Sequence, residues 1–116
     1  MPEPVIDSRT FDELRAVLGA DFLAELLDVF FAQGPELVAT MRRALAEANP
    51  AELERAAHSL KSNGRTFGAL GLATLALELE AMGREQCLEG ARERLAALAD
   101  EYARAEAALR ELRPSS

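Results

Sequence analysis

Apolar residues recur along this chain at intervals of three, four or seven, the period of helices that bury one face. Thr10 and Glu13 form a T-x-x-E capping box, which predicts a short first helix from Phe11 to Leu18 that Gly19 ends. A second, longer helix opens near Asp21. Its stripe of Leu23, Leu27, Phe30, Leu37, Met41 and Leu45 keeps its phase across Gly34-Pro35, so a kink is expected there rather than a break. Asn49-Pro50-Ala51-Glu52 has the composition of a helix start, with an Asn cap and Pro at the first helical position. The helix that follows carries Leu53, Ala57, Leu60, Gly64 and Phe67 on one face, and Gly68 closes it.

A fourth helix is expected from Ala69 to Met82, apolar almost all round and therefore buried on most sides, with Gly83 at its end. The last should begin near Gln86 to Leu88 and run through Leu88, Ala91, Leu95, Leu98, Tyr102, Ala105, Leu109 and Leu112 until Pro114 stops it. Four long helices with short connections predict an all-α, up-and-down antiparallel four-helix bundle with a short additional N-terminal helix. One domain over 1–116 is expected, with 1–9 and 113–116 as frayed ends.

Composition agrees with helices and narrows the function. Apolar residues make up 49% of the 116 while aromatics supply 5% and there is no Trp, so the core must be Leu and Ala. A net charge of -7 argues against nucleic acid or an anionic membrane as partner, since both are bound through excess Lys and Arg, and points to a protein. The single cysteine, Cys87, offers neither an internal disulfide nor a metal-site spacing, which places the chain in a reducing, cytoplasmic setting. Met1 to Thr10 is polar and broken by Pro2 and Pro4, unlike a signal peptide, and the uncharged run Thr66 to Leu77 is too short to span a bilayer.

The chain's only histidine and only lysine, His58 and Lys61, stand three residues apart, one helical turn on the same surface. At 100° per residue His58 points about 140° away from Leu53, hence towards solvent. Lys61, Ser62 and Arg65 surround it with donors for an oxyanion, and a neutral imidazole is a nucleophile near physiological pH.

The stretch Ala57 to Glu80, AHSLKSNGRTFGALGLATLALELE, resembles the histidine-containing phosphotransfer (HPt) domain. That family has a His, a Lys three residues on, small residues after it, a Gly ten residues after the His and a Leu-rich helix ending in an acidic or amide residue. The resemblance implies that His58 accepts a phosphoryl group on Nε2 and exchanges it with an aspartate of a receiver domain, in a response regulator or a hybrid sensor kinase. It implies that Lys61 lies beside the phosphoryl oxygens. Ser62 stands where the family often has Gly, small enough to let a receiver approach, and Gly68 matches the family glycine; both are counted with the docking surface. Glu80, 22 residues after His58, takes the place of a hydrogen-bond partner for the imidazole or the phosphoryl group; a rim carboxylate paired with an arginine is the other reading of it.

Phe11, Leu14, Leu18 and Phe22 are implied as an apolar docking surface, with Arg65 beside it, although each apolar residue could equally be core. On this resemblance the protein is a monomeric phosphocarrier and not an enzyme. It binds no cofactor itself, and the Mg²⁺ for transfer is expected in the receiver. A non-phosphorylated helical adaptor or dimerisation module is the alternative, because a fold alone does not fix function. A sensor kinase's dimerising phosphoacceptor domain is disfavoured, since Ser-Leu-Lys follows the His where such domains carry an acidic residue and a downstream proline.

Overall fold

In a computed structural model that describes residues 4–115, every regular element among those residues is a helix. They are α1 (Ser8–Leu18), α2 (Ala20–Ala46), α3 (Pro50–Phe67), α4 (Leu70–Arg84) and α5 (Ala91–Leu112). α2 and α4 each pack on both α3 and α5, while α1 lies against α2 and α3. None of these helices is long and apolar enough to cross a membrane.

The start of α3 is the one the sequence specifies best: Asn49 accepts from the Glu52 N–H through its side chain, and Pro50 opens the helix. α1 begins three residues earlier than expected. Its cap is Asp7, whose Oδ2 accepts from the Thr10 N–H at 3.0 Å and from the Thr10 hydroxyl at 2.5 Å, so Thr10 is a donor inside the helix and not the cap. Proline 35 sits within α2, which continues through it to Ala46.

The other differences lie at the ends and outer face of α4. This helix runs past Gly83 to Arg84, and α5 starts only at Ala91, after a turn that places Gln86 and Gly90 at positive φ. Gly83 is not a stop signal. A Cβ added there would lie 2.7 Å from the Pro50 carbonyl oxygen and 2.8 Å from the Glu54 nitrogen, so the glycine lets the end of α4 touch the start of α3. At the other end Gly64 meets Ala69 and Ala73, so the two helices run antiparallel in close contact along their length. α4 is also less enclosed than its composition suggests, since Leu70 and Leu77 are exposed.

The core is Leu and Ala between the four long helices, with one aromatic cluster. Phe30 packs its ring against Phe67 and Tyr102, centroids 5.2 and 5.6 Å apart, which joins α2 to α3 and α5. The chain ends are held more firmly than expected. Ile6 is buried in the core and the Asp7 N–H donates to the Gly68 carbonyl at 2.8 Å. Arg113 forks onto both oxygens of Asp28 at 2.8 Å each, and Pro114 is buried. Of the segments expected to fray, Ile6, Asp7, Arg113 and Pro114 are thus docked; residues 1–3 and 116 lie outside those described.

Candidate functional site

The face of α3 opposite Leu53, Ala57 and Leu60 is open to solvent, and His58 stands on it with its side chain 59% exposed. Its Nδ1 lies 2.6 Å from Glu80 Oε2 on α4. A carboxylate oxygen can only accept, so Nδ1 carries the proton and Nε2 keeps its lone pair. The antiparallel seam between α3 and α4 makes this possible, because it sets residue 80 beside residue 58.

Glu80 is the buried charged residue of the described chain, 3% exposed. Its second oxygen, Oε1, accepts from Lys61 Nζ at 2.6 Å, and Lys61 is itself largely covered, at 12% exposure. One carboxylate thus holds both the imidazole and the ammonium. Burial pushes the Glu80 carboxyl up, but hydrogen bonds from Lys61 and His58 outweigh that and hold it below the ordinary carboxylate value. The group is therefore a fixed anion at neutral pH. Lys61 reaches the imidazole through Glu80, to which its ammonium is bonded.

Arg84 belongs to the same cluster and the sequence reading missed it. Its guanidinium lies 3.5 Å from Glu80 Oε2, the oxygen bonded to His58, and 3.3 Å from Glu54 on α3. A shallow basin beside His58 is lined by Ala51, Glu54, Arg55, Ser59, Glu80 and Arg84. Part of the signal was available: Arg84 is four residues after Glu80 and Glu54 is four before His58, so each lies one turn from a site residue on its own helix.

Of the proposed docking residues, Ser62, Arg65 and Phe22 are exposed, and Leu14 and Leu18 are half-buried. Phe11 is not accessible; it is 2% exposed and part of the core. Gly68 is also buried. It ends α3 at φ 83°, and a Cβ there would come 2.8 Å from the Asp7 carbonyl oxygen, so its role is to turn the chain beneath the N-terminal segment. Val17 and Val29 are exposed apolar residues that the sequence reading passed over. Each falls outside the buried stripe of its helix, and Val29 follows Phe22 by seven residues on one face of α2.

Comparison with known proteins agrees with this geometry. The Hpt domain family model matches residues 25–108. The phosphorelay protein LuxU of Vibrio harveyi is 26% identical over 89 residues, covering 77% of this chain and 78% of LuxU. The crystal structure of histidine-containing phosphotransfer protein B (HptB) from Pseudomonas aeruginosa PAO1 superposes with a TM-score of 0.89 at 27% identity, over 97% of this chain and 96% of that one. The all-helical fold and the match over most of the chain make this protein a member of the Hpt domain family, the phosphotransfer intermediates of two-component signalling.

Proposed function

We propose that His58 is the phosphoacceptor of a phosphorelay intermediate that exchanges its phosphoryl group with an aspartate of a receiver domain, in a response regulator or a hybrid sensor kinase. The observation that carries this reading is the pairing of an exposed imidazole with a buried carboxylate on Nδ1. The Nε2 lone pair attacks phosphorus in line, the N–P bond forms as the O–P bond of the acyl phosphate breaks, and the aspartate leaves as a carboxylate. The Nδ1 proton stays on the ring, donated to Glu80, which balances the imidazolium charge. Reversal of the same steps hands the group on.

In this reading Lys61 fixes the ionised state and position of Glu80, and the chain is a carrier that is consumed and regenerated, not a catalyst. Mg²⁺ is brought by the receiver. Ser62, Arg65, Leu14, Leu18 and Phe22 form the surface on which the receiver docks, joined by Val17 and Val29. The helices form an up-and-down antiparallel four-helix bundle with α1 as the additional N-terminal helix, and the protein works as a cytoplasmic monomer. The closed arrangement of α2, α3, α4 and α5 supports the bundle, and the net charge of -7 supports a protein partner over nucleic acid.

Incubation with a phosphorylated receiver domain tests the reading. Acid-labile, alkali-stable label on the parent protein, absent from His58→Gln, is the expected result. Label that survives His58→Gln removes His58 from the mechanism, and no label from any receiver donor favours the adaptor.

A further inference from the structure

Phosphorylation of Nε2 brings a set of anionic phosphoryl oxygens to His58, and something must receive them. Lys61 is poorly placed to do so, since its ammonium is covered and bonded to Glu80 at 2.6 Å. Arg65 is on the exposed face one turn further along α3. Arg55 also lines the basin, but its guanidinium is bonded to both oxygens of Glu52. Arg84 differs from all three. Its side chain is 60% exposed, it borders the basin beside His58, and its contacts with Glu80 and Glu54 are long, at 3.5 and 3.3 Å.

We propose that Arg84 is the cation that receives the phosphoryl oxygens on His58, and that Glu54 holds it in reserve until the group arrives. The inference rests on the phosphocarrier reading and adds to it a direct ligand and a residue that competes for that ligand. Arg84 and the imidazole contact the same carboxylate oxygen, which sets the guanidinium one bridging atom from the ring. Its planar set of five donors suits phosphate oxygens better than an ammonium does. Glu54 is 38% exposed, so its hold on Arg84 is weakened by solvent. A phosphoryl group with more charge than one carboxylate displaces it.

The phosphoryl group reports this directly. The protein is phosphorylated with phosphoramidate, and the ³¹P chemical shift of phospho-His58 is followed against pH. A nearby cation lowers the pH at which phospho-His58 loses its last proton, whether from the ring or from a phosphoryl oxygen, so Arg84→Ala is expected to raise the midpoint by about half a unit or more. Arg84→Lys should recover part of that shift. Glu54→Gln should lower the midpoint, and this lowering should shrink in an Arg84→Ala background, because Glu54 acts through Arg84. A midpoint unchanged in Arg84→Ala overturns the proposal, as does an equal Glu54→Gln shift in both backgrounds. A parent protein that takes no phosphate on His58 overturns the phosphocarrier reading as well, so the two failures are distinguishable. Far-UV circular dichroism confirms that the exposed substitutions leave the helices intact.

Discussion

Replacing Lys61 by methionine deletes an ammonium from a covered position and keeps the aliphatic stem that fills the seam between α3 and α4. Glu80 then loses its partner on Oε1 while remaining 3% exposed. A buried charge stripped of its partner costs about 3–5 kcal/mol. His58 still donates to Oε2 and Arg84 stays near it, so a smaller loss of about 2–3 kcal/mol is expected at pH 7. The dependence on pH is the sharper test.

In the parent protein the folded Glu80 carboxyl titrates below its ordinary value, because the bonds from Lys61 and His58 overcome the upward push of burial. Such a group contributes stability above the unfolded pKa of about 4.3 and loses it as pH falls through the lower folded value. Without Lys61, His58 alone opposes the upward push of burial, so the folded value rises. The rise removes stability that the ionised carboxylate contributes above about pH 4.3 in the parent protein. Urea unfolding of both proteins between pH 4 and 6 should therefore show a gap that widens as pH rises. A loss below about 1 kcal/mol at pH 7, or a gap independent of pH, refutes the reasoning. The double variant Lys61→Met, Glu80→Met should regain most of the loss, since an apolar pair replaces an ionic one of similar volume.

Three further outcomes follow from the packing. Gly83→Ala should lower stability by about 1–3 kcal/mol in thermal or urea unfolding, because the methyl meets backbone atoms of α3, although alanine is the better helix former by about 1 kcal/mol. Stability equal to the parent would show that the helices are not so close. Gly68→Ala should destabilise by more than about 1 kcal/mol, since φ is 83° and the methyl meets the Asp7 carbonyl oxygen; a change confined to receiver binding, with normal stability, would restore Gly68 to the docking surface. Tyr102, the only tyrosine, has its phenol pushed well above the ordinary value by burial and then by its hydrogen bond to Glu106. Tyrosinate absorbance at 295 nm should rise only with alkaline unfolding, and a midpoint near 10 in the folded protein would contradict that environment.

Features set by local sequence were legible; those set by contact between distant segments were not. The Asn49 cap, the α3 stripe and the exposure of His58 follow from residues within a few turns of one another, and the structure contains all three. Gly83 and Gly68 were harder. A glycine near a helix end reads as a stop, which Gly68 is; only the proximity of Pro50 shows Gly83 to be a close approach instead, and only that of Asp7 adds a close approach to the cap at Gly68. Phe11 failed for a related reason, because the apolar side of a short helix points inward or outward according to what it lies against. Arg84 had the right spacing from Glu80, but spacing on one helix gives no hint that Glu54 faces it from another.

The choice of a carboxylate at position 80 bears on how firmly the phosphoryl group is held. A neutral amide would also accept from Nδ1–H and fix the tautomer, but it would leave the Lys61 ammonium beside the ring with its positive charge unbalanced. With Glu80, the charges of Lys61 and Arg84 are cancelled by those of Glu80 and Glu54 before any phosphate arrives. The incoming group therefore meets no standing excess of positive charge. It gains Arg84 only by displacing Glu54, and part of the attraction is offset by that exchange. On the proposed roles of these residues, an acceptor so balanced holds the group less tightly than one with a standing positive charge, which suits a relay. The buried anion proposed to orient His58 for attack would thus also keep the phosphorylated ring from becoming a trap.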